Sequence, residues 1–454
     1  MTSGFENLLR KNQVSSDPSD LQVYAKDWTN YFDIKASVIL FPESTEDIQK
    51  IVLYARENKI SLVPSGGRTG LSGGAVASKS EAVVSLQRMK KIISFSEADQ
   101  LVHLEAGVIT EELQNFAEEK DLYFPIEFAS TGSSQIGGNI ATNAGGIHVL
   151  KYGNTRNWVA GLKVVTGSGE ILDLNHGLIK NATGFDLRHL FIGSEGSLGF
   201  ITEAWIRLTR RASKRSLFLV ALQDWSSAIE LYASLRKQTE LIAFEAFTND
   251  CLEKVVSSQN YQRPFSETYP LYVIFEAEEN GELVQSLIEP HLDSQLILDA
   301  TTSTTAEQSR QIWSYRENIS ESLASYKPYK NDISVLSSQV PEFISEVTSL
   351  LESNYRNFEV LWFGHIGDGN LHINILKPDS LSTPEFINKC KSVDLKLFEC
   401  VKKFHGSISA EHGVGLTKKA FLNFSRSEEE IEIMRKLKRA FDPDGIMNPG
   451  KIFD

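Results

Sequence analysis

Short apolar runs alternate with amphipathic stretches through the first half of the chain. The runs ASVILF, SLVPSG, AVVSL and LVHLEAG are typical of strands, and TEDIQKIVLYARENK has the apolar spacing of a helix. Because the two patterns alternate from about Ser37 to Leu208, we expect a domain of mixed helices and strands.

The pattern changes after Thr209, where each strand-like run is followed by an amphipathic helix. The two segments are SLFLVALQDWSSAIELYASLRKQ and YPLYVIFEAEENGELVQSLIEPHL. Two such units predict a ferredoxin-like domain. Further along, EVLWFGHIGDGNLHINIL predicts two strands joined by an Asp-Gly turn, and SRSEEEIEIMRKLKRAFDPDGIMNPGKIF predicts a helix followed by a tail.

Length and composition define the class of protein. A chain of 454 residues is longer than one hydrophobic core usually supports, so two or three structural units are expected. With 41% hydrophobic residues and no apolar run long enough to cross a bilayer, we expect a soluble protein with no membrane span. The polar N-terminus matches neither a secretory signal nor a transit peptide, and the three cysteines form no CxxC pair, which favours a cytoplasmic location.

The net charge of −13 bears on the choice of partner. Nucleic acid and anionic membranes are bound by clustered Lys and Arg, so neither is expected here. A small anionic substrate would need a local cationic pocket within this acidic chain.

Glycine is concentrated in three clusters between Gly66 and Gly199. Glycines accept positive φ angles and can turn successive N–H groups toward one anion, and the amides and hydroxyls among them can bind a ligand's ring edge. The alternative interpretation is that the clusters are three unrelated turns, but their occurrence in one domain favours a common ligand. No cluster has the GxGxxG spacing of a nicotinamide site. The candidate cofactor-binding residues, including one near the C-terminus, are Pro64, Ser65, Gly66, Gly67, Arg68, Thr69, Gly70, Gly73, Gly74, Thr131, Gly132, Ser133, Gly137, Gly138, Asn139, Thr142, Asn143, Gly145, Gly146, Glu195, Gly196, Gly199, Ile201 and Asn448.

Two segments carry candidate metal ligands. His365 and His372 flank the turn of GHIGDGNLHINI, and Glu411 stands beside His412 in SISAEHGVG. If the flanking strands pair, both imidazoles can converge on one cation. Two imidazoles and one carboxylate with open positions suit zinc or a similar divalent ion in a catalytic role. The spacing alone leaves open that these are ordinary hydrogen-bonded histidines.

A cationic pocket is indicated by Arg316, Ser320 and Lys330. Arg316 and Ser320 are four residues apart, so one helix face would present both to a carboxylate, and Lys330 would add a third contact. A solvated helix face is the alternative for such a pair.

Five blocks of sequence together resemble the FAD-linked oxidases with the vanillyl-alcohol-oxidase-type fold. They are VPSGGRTGLSGG, GSSQIGGNIATNAGG, KYGNTRNWVAGLKVV, KNATGFDLRHLFIGSEGSLGFIT and FDPDGIMNPGKIF. Within that family the chain is similar to the D-2-hydroxyglutarate, D-lactate and glycolate dehydrogenase group. The resemblance runs from about Val38 to Phe453. It implies an α+β protein with a split FAD-binding domain, a ferredoxin-like cap domain and a C-terminal helical segment, bounded at 1–210, 211–414 and 415–454 respectively, with the metal site carried by the cap.

The resemblance also implies roles for the candidate residues. The motifs GHxGDGNxH and EHGxG match here, which implies metal ligation by His365, His372 and Glu411, a catalytic base in His412 and a substrate contact from Asn370. The family's carboxylate-binding segment is similar to the segment that carries Arg316, Ser320 and Lys330. Ser320 stands where the hydroxyglutarate enzymes often carry Thr.

Some members of the family attach FAD covalently through a His in the first glycine loop. Here Arg68 and Thr69 occupy that loop, and no His lies between Ser65 and Gly74. Non-covalent FAD is therefore expected.

The resulting functional expectation is metal-assisted oxidation of a small D-2-hydroxy acid, in first place D-2-hydroxyglutarate to 2-oxoglutarate, with hydride transfer to flavin N5. The alternatives are a D-lactate or glycolate dehydrogenase, a flavin subunit of a glycolate oxidase-type complex, and a sugar oxidase. The resemblance implies an electron-transfer flavoprotein or a quinone as electron acceptor, and a homodimer is one expected assembly.

Overall fold

The chain divides into two compact units that are discontinuous in sequence. In the computed structural model, unit 1 comprises Met1–Gly146, Gly153–Arg211 and Glu411–Asp454, and unit 2 comprises Ile147–Tyr152 and Ala212–Ala410. The chain thus returns to unit 1 at 411, where the sequence predicted 415. Residues 147–152, which the sequence analysis placed in the FAD-binding domain, belong to unit 2. The residues described by the structure are 2–29, 32–212, 215–278 and 281–453.

The described helices and strands follow one another in chain order, short 3₁₀ turns aside. Those up to residue 211 are α1 Thr2–Glu6, β1 Val14–Ser15, α2 Pro18–Tyr24, β2 Val38–Leu40, α3 Thr45–Glu57, β3 Leu62–Ser65, β4 Ala82–Ser85, β5 Ile92–Ser96, β6 Leu101–Glu105, α4 Thr110–Glu118, α5 Ile136–Thr142, α6 Val149–Tyr152, β7 Val159–Thr166, β8 Ile171–Leu174, α7 Arg188–Phe191 and β9 Gly199–Arg207. Those after residue 211 are β10 Ser216–Leu222, α8 Trp225–Arg236, β11 Glu240–Thr248, α9 Asn249–Gln259, β12 Leu271–Glu278, α10 Gly281–Asp293, β13 Asp299–Thr302, α11 Ala306–Glu317, α12 Ile319–Ser322, β14 Tyr329–Ser334, α13 Val340–Asn354, β15 Val360–Gly364, β16 Asn370–Ile375, α14 Thr383–Lys403 and α15 Glu428–Phe441.

Unit 1 contains a four-stranded sheet and a five-stranded sheet. The first has the order β1-β2-β4-β3, with β2, β4 and β3 parallel, and the second is antiparallel in the order β5-β6-β9-β7-β8. Helix α3 begins after Ser44, whose side chain accepts a hydrogen bond from the N–H of Asp47, and it buries the apolar face predicted from its sequence. The C-terminal segment lies beside β3 through a parallel bridge between Leu62 and Met447.

Unit 2 is built on a seven-stranded antiparallel sheet in the order β13-β10-β12-β11-β15-β16-β14. Numbered in chain order, its first four strands have the sequence 4-1-3-2 across the sheet, which is the order of a ferredoxin-like sheet built from two βαβ-type units. Strands β15, β16 and β14 extend it beyond β11.

One face of this sheet changes from apolar to polar along its width. Over β10, β12 and β11, helices α9, α11 and α12 cover a hydrophobic core that includes Phe247 and Ile274. Toward β14, the strand register places His372 opposite both Phe363 and Asp332, so the polar residues share the face of that core. No helix among the described residues is both long and apolar enough to cross a membrane.

Candidate active site

The first two glycine clusters lie against each other in unit 1. A Cβ added at Gly67 would lie 2.2 Å from the carbonyl oxygen of Ser133, so only glycine allows this approach of the two loops. Gly138, on α5, has no atom within 4 Å of an added Cβ, and the buried Oε1 of Gln135 accepts no hydrogen bond within the described chain. Open space lined by backbone and an unsatisfied acceptor fits a flat, polar-edged cofactor such as FAD.

The third cluster joins the same region. The N–H of Gly193 donates to Ile140 and that of Glu195 to Ala141, at 3.0 and 2.8 Å, so the loop is attached to the C-terminal half of α5. Asn143 ends that helix in the left-handed conformation with φ +50°. The structure therefore brings all three clusters together within one unit.

The remaining predicted cofactor residues lie in or next to these loops. Pro64 and Ser65 end β3, and the N–H of Gly73 donates to Asp27 at 2.7 Å, which holds the far end of the first loop. Arg68 has φ +61°, and its guanidinium lies 4.7 Å from the centre of the Tyr24 ring. The others, by position, are Thr69, Gly70 and Gly74 in the first loop, Thr131, Gly132 and Ser133 before α5, Gly137, Asn139 and Thr142 in α5, Gly145 and Gly146 after it, and Gly196, Gly199 and Ile201 in the third segment.

Glu195 and Asn448 connect the third cluster to the C-terminal segment. The Glu195 carboxylate accepts hydrogen bonds from the backbone N–H groups of Val414 and Gly415 at 2.7 and 2.8 Å. Burial raises its pKa, and the two donors counter only part of that effect. The Asn448 amide donates to the carbonyls of Gly74 and Glu195, whereas its buried Oδ1 has no partner among the described residues. The Glu195 carboxylate therefore binds backbone N–H groups of the C-terminal segment. The Oδ1 of Asn448 can accept a hydrogen bond from a ligand.

His365 directly follows β15 and His372 lies within β16, so the two flank the turn between these strands, as the sequence predicted for GHIGDGN. Their ring centroids are 5.4 Å apart, and each offers a ring nitrogen within 4.8 Å of the other's. The Nδ1 of His372 is 3.7 Å from a carboxylate oxygen of Asp332. Two imidazoles at this separation fit a single divalent cation.

A buried carboxylate that the sequence analysis did not single out contacts both His365 and Arg316. Glu245, on β11, is 1% exposed. It accepts a hydrogen bond from Nδ1 of His365 at 2.7 Å and one from Nε of Arg316 at 2.9 Å. Burial raises the Glu245 pKa, but the electrostatic interactions and hydrogen bonds with His365 and Arg316 outweigh burial and leave the pKa below its ordinary value. A single acid within the apolar run LIAFEAF was the available sequence signal.

Arg316 and Ser320 do not lie on one uninterrupted helix, in contrast to the sequence-based expectation. Helix α11 ends at Glu317, and Asn318, with φ −80° and ψ 0°, leads into the separate short helix α12. Arg316 is buried with its guanidinium 4.7 Å above the Phe363 ring and its Nη2 3.4 Å from Nε2 of His365, whereas Ser320 is exposed. The prediction that both residues bind one carboxylate rested on a shared helix face, and the structure does not show that face.

Asn370 and Lys330 lie on the same polar face. The Asn370 amide donates to Asp332 and to the carbonyl of Ile333, each at 2.9 Å, and its Oδ1, although buried, has no partner among the described residues. Lys330 precedes Asp332 by two residues in β14, so both side chains point to one side of the sheet. The Lys330 side chain is exposed at this sheet edge, yet desolvation by neighbouring atoms lowers its pKa.

Glu411 and His412 begin the last segment of unit 1. Both are half-buried, and the backbone directly after them is held by the Glu195 carboxylate. The segment that carries the predicted base is thus anchored to the loop of the third glycine cluster.

Family profiles match most of the chain. The profile described as "FAD binding domain" matches residues 36–175, and "FAD linked oxidases, C-terminal domain" matches residues 211–452. The chain is 49% identical to a D-2-hydroxyglutarate dehydrogenase of Stutzerimonas stutzeri, covering 99% of this chain and 97% of the relative. A D-2-hydroxyglutarate dehydrogenase of Xanthomonas citri pv. viticola is 46% identical, with 97% and 94% covered. A putative mitochondrial D-lactate dehydrogenase of Schizosaccharomyces pombe is 35% identical, with 96% and 85% covered.

Solved structures show a similar fold at low sequence identity. A substrate-bound p-cresol methylhydroxylase superposes with a TM-score of 0.77 at 15% identity, covering 100% of this chain and 96% of that chain. The 4-ethylphenol oxidase of Gulosibacter chungangensis gives a TM-score of 0.76 at 17% identity, with the same coverage. These likenesses support the expected vanillyl-alcohol-oxidase-type fold.

Proposed function

Since this chain belongs to the FAD-linked oxidases and is an FAD-dependent D-2-hydroxy-acid dehydrogenase, we propose that it oxidises D-2-hydroxyglutarate to 2-oxoglutarate. The two relatives named above that are 49% and 46% identical carry that activity in their names. The observation that carries the proposal is the polar face of unit 2, where Arg316 lies next to His365 and Lys330 supplies a second cation from the same side of the sheet as His372. A dicarboxylate substrate needs two such contacts, and a monocarboxylate needs one.

A divalent metal held by His365, His372 and Glu411 is part of the proposal. Glu245 accepts the Nδ1 proton of His365, which makes Nε2 the nitrogen with a lone pair for coordination. Two imidazoles and one carboxylate form a common donor set of catalytic zinc sites, so zinc or a similar ion suits these residues. Loss of activity on metal removal, and its return on adding zinc, is the expected result.

The residues of the chain then have distinct roles. Arg316, next to His365, binds the carboxylate beside the reacting carbon, and the open Oδ1 of Asn370 accepts a hydrogen bond from the substrate. His412 accepts the proton of the C2 hydroxyl as general base. Lys330 binds the distal carboxylate. When bound, the metal supplies Lewis acidity toward the hydroxyl and FAD supplies the acceptor, at N5, for the hydride from C2.

D-lactate is the second candidate substrate, because a relative at 35% identity is named a putative D-lactate dehydrogenase. Steady-state rates with D-2-hydroxyglutarate, D-lactate, D-malate and glycolate, measured with an artificial dye as acceptor, test the choice. We expect the highest kcat/KM for D-2-hydroxyglutarate. A higher value for D-lactate would refute the assignment.

The electron acceptor and the assembly are further proposals. A protein or quinone acceptor, such as an electron-transfer flavoprotein, fits a chain without a nicotinamide fingerprint. Dye reduction by the isolated chain is expected, whereas a flavin subunit that depends on partners would reduce no dye with any hydroxy acid. Size-exclusion chromatography tests the predicted homodimer, and fractionation of cells tests the cytoplasmic location.

A further inference from the structure

Glu245 is buried at the junction of the proposed metal ligand His365 and the substrate-binding Arg316. We propose that Glu245 is a positioning residue. It fixes the His365 and Arg316 side chains relative to each other, and so fixes the position of the metal relative to the substrate carboxylate. This inference rests on the proposed function, since it deepens the roles assigned to those two residues.

The geometry supports a direct contact to each partner. One carboxylate oxygen, Oε1, is 2.7 Å from Nδ1 of His365, and the other, Oε2, is 2.9 Å from Nε of Arg316. Each oxygen therefore serves one partner. The contact with Nδ1 determines the tautomer of His365. The contact with Nε leaves Nη1 of Arg316 for a substrate carboxylate, while Nη2 lies 3.4 Å from Nε2 of His365.

Burial makes these contacts strong determinants of conformation. Glu245, Arg316 and His365 are 1%, 7% and 9% exposed, and the Arg316 guanidinium also lies against the Phe363 ring. Water therefore competes little for these groups, and a buried carboxylate that lost one partner would be poorly solvated. The three side chains come from β11, α11 and the end of β15, so one carboxylate links three separate elements of unit 2.

The chain offers a matched control in the neighbouring strand β12. Glu276 is 5% exposed and lies between another arginine and another histidine, with Arg215 at 3.0 Å and His148 at 3.4 Å. Glu276→Gln thus removes a carboxylate of the same kind from the same sheet. Neither of its partners is a proposed metal ligand or substrate contact.

The test compares Glu245→Gln with Glu276→Gln in the full chain loaded with FAD and stripped of metal. Zinc is titrated by calorimetry. Loss of a hydrogen-bonded carboxylate behind a metal-bound histidine typically weakens metal affinity about 10–100-fold, and we expect that loss for Glu245→Gln. Glu276→Gln should bind zinc as the wild type does. Equal zinc affinities for both variants would refute the metal half of the proposal.

A second readout requires no metal. Binding of 2-oxoglutarate to the metal-free, FAD-loaded chain reports on Arg316, and we expect it to weaken in Glu245→Gln and to stay unchanged in Glu276→Gln. Unchanged binding in both would refute the part that concerns Arg316. Absence of zinc binding by the wild type would instead refute the metal site, while this readout would still test Glu245.

Glu245→Asp covers the case in which Glu245→Gln does not fold, as judged by FAD content and cooperative unfolding. Aspartate keeps the charge but is one methylene shorter, so it cannot reach both partners. Weakened zinc binding relative to Glu276→Asp is expected. Wild-type affinity in Glu245→Asp would show that charge alone suffices and would overturn the positioning role.

Discussion

Replacing Lys330 with Gln should change substrate preference rather than activity in general. Lys330 lies two residues before Asp332 on one side of β14. At about 3.4 Å of rise per residue the two Cα atoms are roughly 7 Å apart. Four C–C bonds of about 1.5 Å place the two carboxyl carbons of hydroxyglutarate roughly 5 Å apart. A substrate carboxylated at both ends can therefore engage Lys330 with its distal carboxylate while its reacting end lies near His372.

The size of the effect follows from the contact that is lost. A hydrogen bond to a charged group contributes about 1.5–3 kcal/mol, and the exposed Lys330 belongs at the lower end of that range. A loss of about 1.4 kcal/mol corresponds to roughly tenfold. We expect kcat/KM for D-2-hydroxyglutarate to fall about tenfold in Lys330→Gln, with little change for D-lactate, which has no distal carboxylate.

Steady-state dye reduction with both acids measures this ratio. Lys327→Gln is the control, because it removes the same charge three residues earlier, before β14 begins. An equal fall for both acids would show that Lys330 acts on the reaction or the fold rather than on the distal carboxylate. A similar shift in Lys327→Gln would point to net charge instead.

The remaining predictions concern the base, the metal and the cofactor. His412→Ala should lower the rate of flavin reduction about 10²–10⁴-fold with little loss of substrate affinity, as stopped-flow spectroscopy can show; an unchanged rate would exclude His412 as base. Chelation should abolish turnover while the visible flavin spectrum persists, and activity that resists chelators would argue against the metal. Asn448→Ala removes the bonds to Gly74 and Glu195, so FAD should dissociate more readily in ultrafiltration than from the wild type; equal retention would contradict the role of Asn448.

Local patterns predicted the elements that depend on neighbouring residues. TEDIQKIVLYARENK forms α3 at Thr45–Glu57, and GHIGDGN lies at the turn between β15 and β16, because apolar spacing and turn residues act over short range. The ferredoxin-like order of the first four strands of unit 2 also follows from the repeated strand-helix pattern. Strands β15 and β16 were predicted as a pair, but their addition to this sheet was not, since pairing between β11 and β15 depends on contacts between distant parts of the chain.

The candidate site was only partly accessible to the same reasoning. Motif resemblance indicated His365 and His372, but no pattern linked Glu245 to Arg316 and His365, because these residues come from three elements far apart in sequence. The break at Asn318 has no proline or glycine to mark it, so Ser320 was expected on the helix of Arg316.

The interrupted course of the chain affects how the protein can be made and divided. The bridge between Leu62 and Met447 in unit 1 can form only after Ala212–Ala410 of unit 2 has been synthesised. During translation the first segment of unit 1 therefore lacks its C-terminal segment at the stage when most of unit 2 can already fold. A single cut cannot release either unit intact, because Ile147–Tyr152 belongs to unit 2 and Glu411–Asp454 to unit 1. Separate expression of unit 2 would require a gene in which Ile147–Tyr152 is joined directly to Ala212–Ala410, rather than a simple truncation.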